Sequence, residues 1–368
     1  MPKAVSIFLK VVAAVVVVAI VFALGYVAYV CANYYRIDDH AALEVENAQT
    51  ETLQAGPTYT AATFNIGFGA YTPDFTFFMD EGVMADGTVV TGEHAKASSA
   101  ASVQSCTDGD ISLLASLDTD FTLLQEVDTD STRSFNIDQA QAITSAFSGE
   151  ASVFANNFHS VYLLYPIPDF HGAVQSGLLT LSKYAIDSAE RRSYPVSDAF
   201  PDKFFDLDRC FEVLRVPVSN GKQLVLINSH MSAYDTGGKV REQQIALLRE
   251  VLAQEAAAGN YVICGGDWNH AICGEAGYHL NGQQDPSWVS WLSDDDLPEG
   301  FSVVVPTNVS EVSTCRSSEI PYEKGVNFEA TIDGFIVSSN VVATAENIDS
   351  GYAYSDHNPV KLTFSLAE

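Results

Sequence analysis

The chain has 368 residues, with 18 basic against 47 acidic side chains and a formal net charge of −29. That balance argues against a general nucleic-acid binder, which shows a basic footprint, although bound divalent cations can invert such a field locally. Six cysteines without a CxxC pair or a Cys/His ligand spacing argue against structural zinc.

The N-terminus differs from everything after it. Lys3 and Lys10 precede "VVAAVVVVAIVFALGYVAYVC" (residues 11–31), which carries no charge. Some 20 apolar residues span roughly 30 Å as a helix, the thickness of a bilayer's hydrocarbon core. A cleavable secretory signal is the competing reading, with "VCA" (30–32) as its cleavage site, but its apolar stretch is usually only about 7–15 residues. The length therefore favours an uncleaved anchor. Positive flanks stay in the cytoplasm, and the following "RIDDHAALEVENAQTE" (36–51) is acidic. Residues 1–10 are thus read as cytoplasmic and 11–32 as a transmembrane signal anchor, with the remainder outside the cytoplasm at the cell membrane. Residues 33–57 have few large apolar groups and read as a flexible tether, reaching roughly 25 Å on average; His40 within it is expected to be solvated.

From residue 58 to 368 length alone weakly suggests two domains, but there is no internal linker, repeat or low-complexity run. Strands are predicted at 58–66, 121–127, 177–184, 210–218, 223–230, 261–266, 330–338 and 360–366, with Asn220-Gly221 as a hairpin turn. Helical spacing covers 96–117, 137–147 and 239–258, the last presenting Ile245, Leu248 and Leu252 on one face and stopping at Gly259-Asn260. Hairpins mixed with helices indicate a layered α/β domain. Outside a cell one or two disulfides among Cys106, Cys210, Cys264, Cys273 and Cys315 are possible.

Polar residues recur at the strand ends. Asn65 closes the first strand, Gln125-Glu126 the next, and His230 ends "LVLINSH". "CGGDWNH" (264–270) sets Asp267 and Asn269 on one side of an extended segment, with two glycines expected to turn the backbone sharply. Asp333 lies in "TIDGFIVS", and "YSDHNPV" (354–360) supplies Asp356 and His357. Carboxylates at several strand ends, with two histidines, suit metal-assisted phosphoryl hydrolysis. Mg²⁺ prefers oxygen ligands, a histidine accepts a proton near neutral pH, and an Asp beside it fixes its tautomer.

These motifs, in this order, resemble the endonuclease/exonuclease/phosphatase superfamily typified by deoxyribonuclease I. The resemblance runs from 58 to 366 and implies a four-layer sandwich, two packed mixed β-sheets flanked by helices, with the site where strand ends meet. It implies Glu126 as the principal Mg²⁺ ligand (Mn²⁺ as a substitute), with Asn65 and Asp356 in its shell. Asp267 and Asn269 would orient water or the phosphate. His357, paired with Asp333, would be the general base, and His230 the second histidine. Arg209 falls where some relatives place a phosphate-contacting arginine, with a strand-edge salt bridge as its equal alternative. The chain departs from the pattern where relatives carry a Glu partner for the first histidine, and only Gln175 is available. Phe75, Phe77 and Phe78 are read first as core and second as a wall for an apolar substrate part. Arg133 is read as a surface arginine or an extra phosphate clamp. His94, His159, His171, His270 and His279 have no place in the pattern, though His270 stands next to it. The implied activity is that of a membrane-anchored phosphodiesterase or phosphatase on a phospholipid head group or nucleotide, with no stable nucleic-acid partner. A deoxyribonuclease-type endonuclease and a non-catalytic binding ectodomain are the alternatives; loss of chemistry should first remove a carboxylate or histidine, yet Glu126, His230, Asp267, Asp333, Asp356 and His357 are all present.

Overall fold

Strand side chains alternate between faces, so a strand with one buried face places every second residue in the core. The computed structural model describes residues 2–197, 199–200, 202–204, 207–233 and 238–368, the side chain of Asp202 excepted. Among these, thirteen strands form two large sheets. In chain order they are β1 (Ala41–Leu43), β2 (Thr58–Asn65), β3 (Phe121–Asp128), β4 (Ala151–Leu163), β5 (Gly172–Ser182), β6 (Ser188–Ser193), β7 (Cys210–Pro217), β8 (Gln223–His230), β9 (Tyr261–Asp267), β10 (Phe301–Val303), β11 (Asp333–Ser338), β12 (Val341–Asn347) and β13 (Val360–Leu366). One sheet has the order β1-β6-β7-β8-β9-β11-β10 and the other β12-β13-β2-β3-β5-β4. The helices are α1 (Lys3–Asn33), α2 (Ala100–Leu117), α3 (Gln139–Ala146) and α4 (Lys239–Ala257).

Each sheet contains one parallel pair, β2 with β3 and β8 with β9. A parallel pair needs a crossover, and α2 and α4 supply the two. Ser99 starts α2 by accepting from Ser102 N, and Asp138 starts α3 by accepting from Gln141 N. Apolar residues of α4, such as Leu248 and Leu252, cover Val225, Ile227 and Val262, while Leu114 and Ile143 of α2 and α3 cover Phe64 and Leu124. Between the sheets lie Ala61, Phe121, Leu123, Leu226, Ile263 and Phe335. The four layers match the expected sandwich.

The eight expected strands are present, and Asn220-Gly221 does join the antiparallel pair β7–β8. Strands β4, β6 and β12 were not legible beforehand. β4 and β12 are sheet edges, where one side needs no apolar cover and polar residues dilute the pattern. The two glycines before Asp267 make no turn; β9 runs straight through them. They are required by close packing instead, since a Cβ on Gly266 would sit 1.9 Å from Ser229 O and one on Gly265 2.5 Å from the Phe335 ring. All six cysteines are unpaired.

Residues 33–57 also differ from a flexible tether. β1 pairs with β6, Glu46 exchanges two backbone hydrogen bonds with Ser152, and Leu53 is fully buried between the sheets. Arg36 meets Asp208 at 3.1 Å. A sparse set of apolar residues suffices because Leu43, Val45 and Leu53 pack on the core between the sheets. Helix α1 is long and apolar enough to cross a membrane, and the 18 most apolar residues of it bury nothing against the rest of the chain.

Above the apolar layer the inner faces turn polar. Gln125 donates to Asn228 Oδ1 (2.7 Å) and Thr63 (3.1 Å), while Thr180 and Asn228 donate to Glu212. Burial pushes the Glu212 carboxyl up to about 8. A carboxyl whose folded pKa is raised contributes fully below its unfolded pKa, and the contribution is lost as pH rises through the folded one. Stability should therefore fall between about pH 5 and 8, by an amount on the order of a few kcal/mol. Other buried carboxyls titrate in the same range, so the test is the difference between wild type and Glu212→Gln. Wild type should lose more melting temperature over that interval than the variant, and equal losses would refute the assignment.

Candidate active site

The four carboxyl ends of the parallel strands meet at one rim of the sandwich. Asn65 pairs in register with Gln125, and His230 with Asp267. Asp333 begins β11 directly opposite Asp267. On a regular strand Glu126 would face away from Gln125 and into α2. The pairing of β3 with β5 slips between Leu124 and Val127, and Glu126 takes a positive φ of 55°. Such a bulge re-aims a side chain, and here it turns Glu126 to the rim.

Asn65 is the pivot. Its Nδ2 donates to Asp267 Oδ2 (3.0 Å) in the opposite sheet and to Glu126 Oε1 (3.3 Å) in its own. Its Oδ1, expected to face a cation, accepts instead from Gly67 N at 3.0 Å. In this arrangement Asn65 holds carboxylates rather than offering them a ligand oxygen. His357 Nδ1 binds Asp333 Oδ2 at 2.8 Å, and its Nε2 looks toward Asp267 Oδ2 (3.9 Å) and Asn65 Nδ2 (3.5 Å). His230 Nε2 stands 3.4 Å from Asp267 Oδ2 and 4.0 Å from Glu126 Oε1. Asn269, at a positive φ of 49°, donates its backbone N–H to Asp267 Oδ1 and its Nδ2 to Met231 O, fixing the loop after His230.

The two histidines sit in opposite fields. Burial works against a charged His357, yet the charge of Asp333, with that of Asp356 and the hydrogen bond to Asp333, carries it well above the ordinary histidine range. His230 is held well below that range by burial and by the positive charges of Arg209, His357 and Arg133. It is neutral, and with carboxylates beside Nε2 its proton belongs there. Among the described residues Nδ1 has no hydrogen-bond partner. Gln175 is not that partner, since its Oε1 accepts from Asn156 at 2.8 Å. The departure noted at Gln175 thus leaves His230 without an orienting carboxylate.

The donor set suits a cation. Burial, then the charge of Asp333, pushes Asp267 up to about 6; burial, with repulsion from Glu126, pushes Asp356 to about 6 against the pull of His357 and Arg316. Carboxylates crowded in this way are in excess of their counter-charges, and a bound cation relieves them. Asp267, Asp333 and His357 also offer atoms within 4.8 Å of one another. The Asp333–His357 hydrogen bond already engages two of these, which makes Glu126 and Asp356 the freer pair.

Some side chains at the site carried no signal in the sequence. Ser355 Oγ donates to Asn65 O (2.8 Å) and accepts from His357 N (3.1 Å), and Thr314 Oγ1 accepts from Asp333 N (3.0 Å). Each is a common residue whose role exists only through its neighbours. Arg133 is neither a surface residue nor a clamp: it is buried, bidentate to Asp128, and 3.8 Å over the Phe68 ring. Arg209 is buried beside the site and acts on it through charge. Phe75 and Phe77 are core, and Phe78 is half-buried against Tyr165. His171 bonds Ala95 O, His159 stacks on Tyr35, and His270 bonds Trp268 O.

Residues 62–357 match the Endonuclease/Exonuclease/phosphatase family, a span that contains every site residue named above, and the chain belongs to that family. Its enzymes are phosphoester hydrolases that use divalent metal ions. No curated protein matches the sequence. Among solved structures, truncated Caenorhabditis elegans TDP2 superposes with a TM-score of 0.53 at 13% identity, over 84% of this chain and 99% of that one. An endonuclease/exonuclease/phosphatase from Beutenbergia cavernae gives 0.53 at 14%, over 84% and 72%. ANGEL2, a 2′,3′-cyclic phosphatase solved with adenosine-2′,3′-vanadate, gives 0.52 at 13%, over 90% and 100%. At these identities the likeness is one of fold.

The His357–Asp333 pair yields a direct test. His357→Ala should lower turnover by about 10²–10⁴-fold, the usual worth of a general base. Asp333→Asn should also lose turnover, and if the two act as one unit the double variant should be little worse than His357→Ala. Melting temperature and kcat measured on the same preparations decide the matter. Unchanged kcat in folded His357→Ala would reject the base assignment and leave the pair as a tie between strands.

Proposed function

We propose that the chain is a membrane-anchored, extracytoplasmic, Mg²⁺-dependent hydrolase of phosphoric esters, with Mn²⁺ as a substitute metal. The observation that supports this best is the setting of His357, whose Nδ1 is held by Asp333 at 2.8 Å while Nε2 is turned to the rim beside Asp267 and Asn65. Residues 1–10 would be cytoplasmic, 11–32 the anchor, 33–57 the connection, and 58–368 the catalytic domain.

Glu126 and Asp356 would hold the metal, with Asn65 orienting Glu126. A divalent cation there supplies positive charge against the phosphate and offsets the carboxylate field that keeps His357 protonated. His357 Nε2 takes a proton from water as the water oxygen bonds to phosphorus, and Asp333 stabilises the imidazolium. The phosphorus–oxygen bond to the leaving group breaks, that oxygen takes up a proton from solvent, and His357 returns its own to solvent. Neutral His230, donating from Nε2, and the nearby positive charge of Arg209 suit the phosphate oxygens; Asp267 and Asn269 orient the attacking water. A phospholipid head group is favoured over a long nucleic acid, because the net charge of −29 repels polyanions. A small nucleotide is the second substrate class, since its charge is easily offset at the site.

Two measurements test this reading. The purified chain with Mg²⁺ should hydrolyse phospholipid or nucleotide substrates, lose activity in chelator, and lose it steeply in Glu126→Gln; full activity in chelator would overturn the scheme. On intact cells a C-terminal epitope should be reached by antibody and an N-terminal one only after permeabilisation, whereas the reverse would invert the topology.

A further inference from the structure

The loop between β4 and β5 is unusual for a surface loop. It reads "LYPIPDFH" (164–171), and Ile167 is 79% and Tyr165 61% exposed. Large apolar side chains left in water forgo the free energy of burial. The loop does not stand apart from α1. The Tyr26 hydroxyl donates to Tyr162 O (3.2 Å) and accepts from Leu164 N (3.1 Å). Tyr26 lies inside the charge-free run, about 10 Å along the helix from its polar end at Asn33.

From this contact we infer that the β4–β5 loop is a membrane wedge, inserted beside α1 into the leaflet from which the helix emerges. Its occupant is the bilayer itself, in the glycerol and upper acyl region. Irregular backbone is costly in lipid where its polar groups are unsatisfied, and several polar groups of this loop are paired, the Asp169 carboxylate among them, at 2.8 Å from Lys96. Pro166 and Pro168 have no N–H to satisfy. Leu164 N and Tyr162 O are paired by Tyr26, and Tyr165 O accepts from His171 N at 2.9 Å. At the polar end of the helix, Lys203 lies 4.8 Å over Tyr34, which packs on Phe204. Aromatic and cationic side chains of this kind settle at the headgroup level. The wedge is coupled to the active site: Tyr165 meets Phe78 (5.7 Å), Phe78 meets Phe77 (5.0 Å), and Phe77 meets Phe68 (6.4 Å), three residues beyond Asn65. The catalytic domain is thereby held against the membrane at a fixed attitude instead of swinging on a tether.

The inference rests on α1 being a membrane span, so its test carries a control for the span. Full-length chain is reconstituted in phosphatidylcholine vesicles brominated in the upper acyl chain, with tryptophan introduced as Ile167→Trp or Val18→Trp. The signal read is each variant's emission minus that of wild type. Both added tryptophans should be quenched by the brominated lipid, and the one at 167 should resist aqueous iodide. Quenching at 18 with iodide-accessible, unquenched emission at 167 overturns the wedge while leaving the span intact. Absence of quenching at both positions overturns the two together. Ile167 is exposed, so the substitution should not disturb packing, and no readout depends on turnover.

Discussion

Charged side chains at a sheet interface are costly unless water or a counter-charge reaches them, so they can gather only at its rim. Along β2, β3, β8 and β9 the inner faces obey that constraint residue by residue. Ala61, Leu123, Leu226 and Ile263 form a dry layer; Thr63, Gln125 and Asn228 form a layer of neutral hydrogen bonds; Asn65, Glu126, His230 and Asp267 form the charged edge. The amide layer lets charge stand close to an apolar core without facing it. The parallel pairing in each sheet is what makes all four chains arrive at this edge in the same direction.

At the edge, the fold divides two chemically identical imidazoles into different groups. His357 faces carboxylates and carries a partner on Nδ1, so it favours the proton; His230 lies near Arg209 and Arg133, with nothing on Nδ1, so it is neutral. Environments that push paired titratable groups apart are how one site supplies both an acceptor and a donor of protons. The excess of carboxylate is the complementary feature, because it suits a cation that a phosphate substrate also needs.

The connection between helix and domain is more than a leash. Arg36 meets Asp208, β1 extends a sheet, and Leu53 fills the space between the two sheets. A helix joined to the domain in this way is fixed in orientation to it, which a flexible linker does not achieve.

The sequence by itself was sufficient for the apolar N-terminal run, the interior strands and the ordered polar residues at their ends. Those signals are local: period-2 burial, charge-free length, and short motifs legible without partners. It also showed the missing acid at Gln175, since an absent residue type needs no coordinates. Tertiary structure alone decided the rest. Glu126 reaches the site only because β3 slips against β5, and a bulge is a property of pairing, not of one strand. Asn65 turns its nitrogen rather than its oxygen to the carboxylates because Gly67 N claims the oxygen. Ser355 and Thr314 become supports only through residues far from them in the chain. The tether docks because Leu53 finds its cavity among side chains from both sheets. In each case the deciding energy comes from a contact between distant segments, and a local reading of residue types contains no term for it.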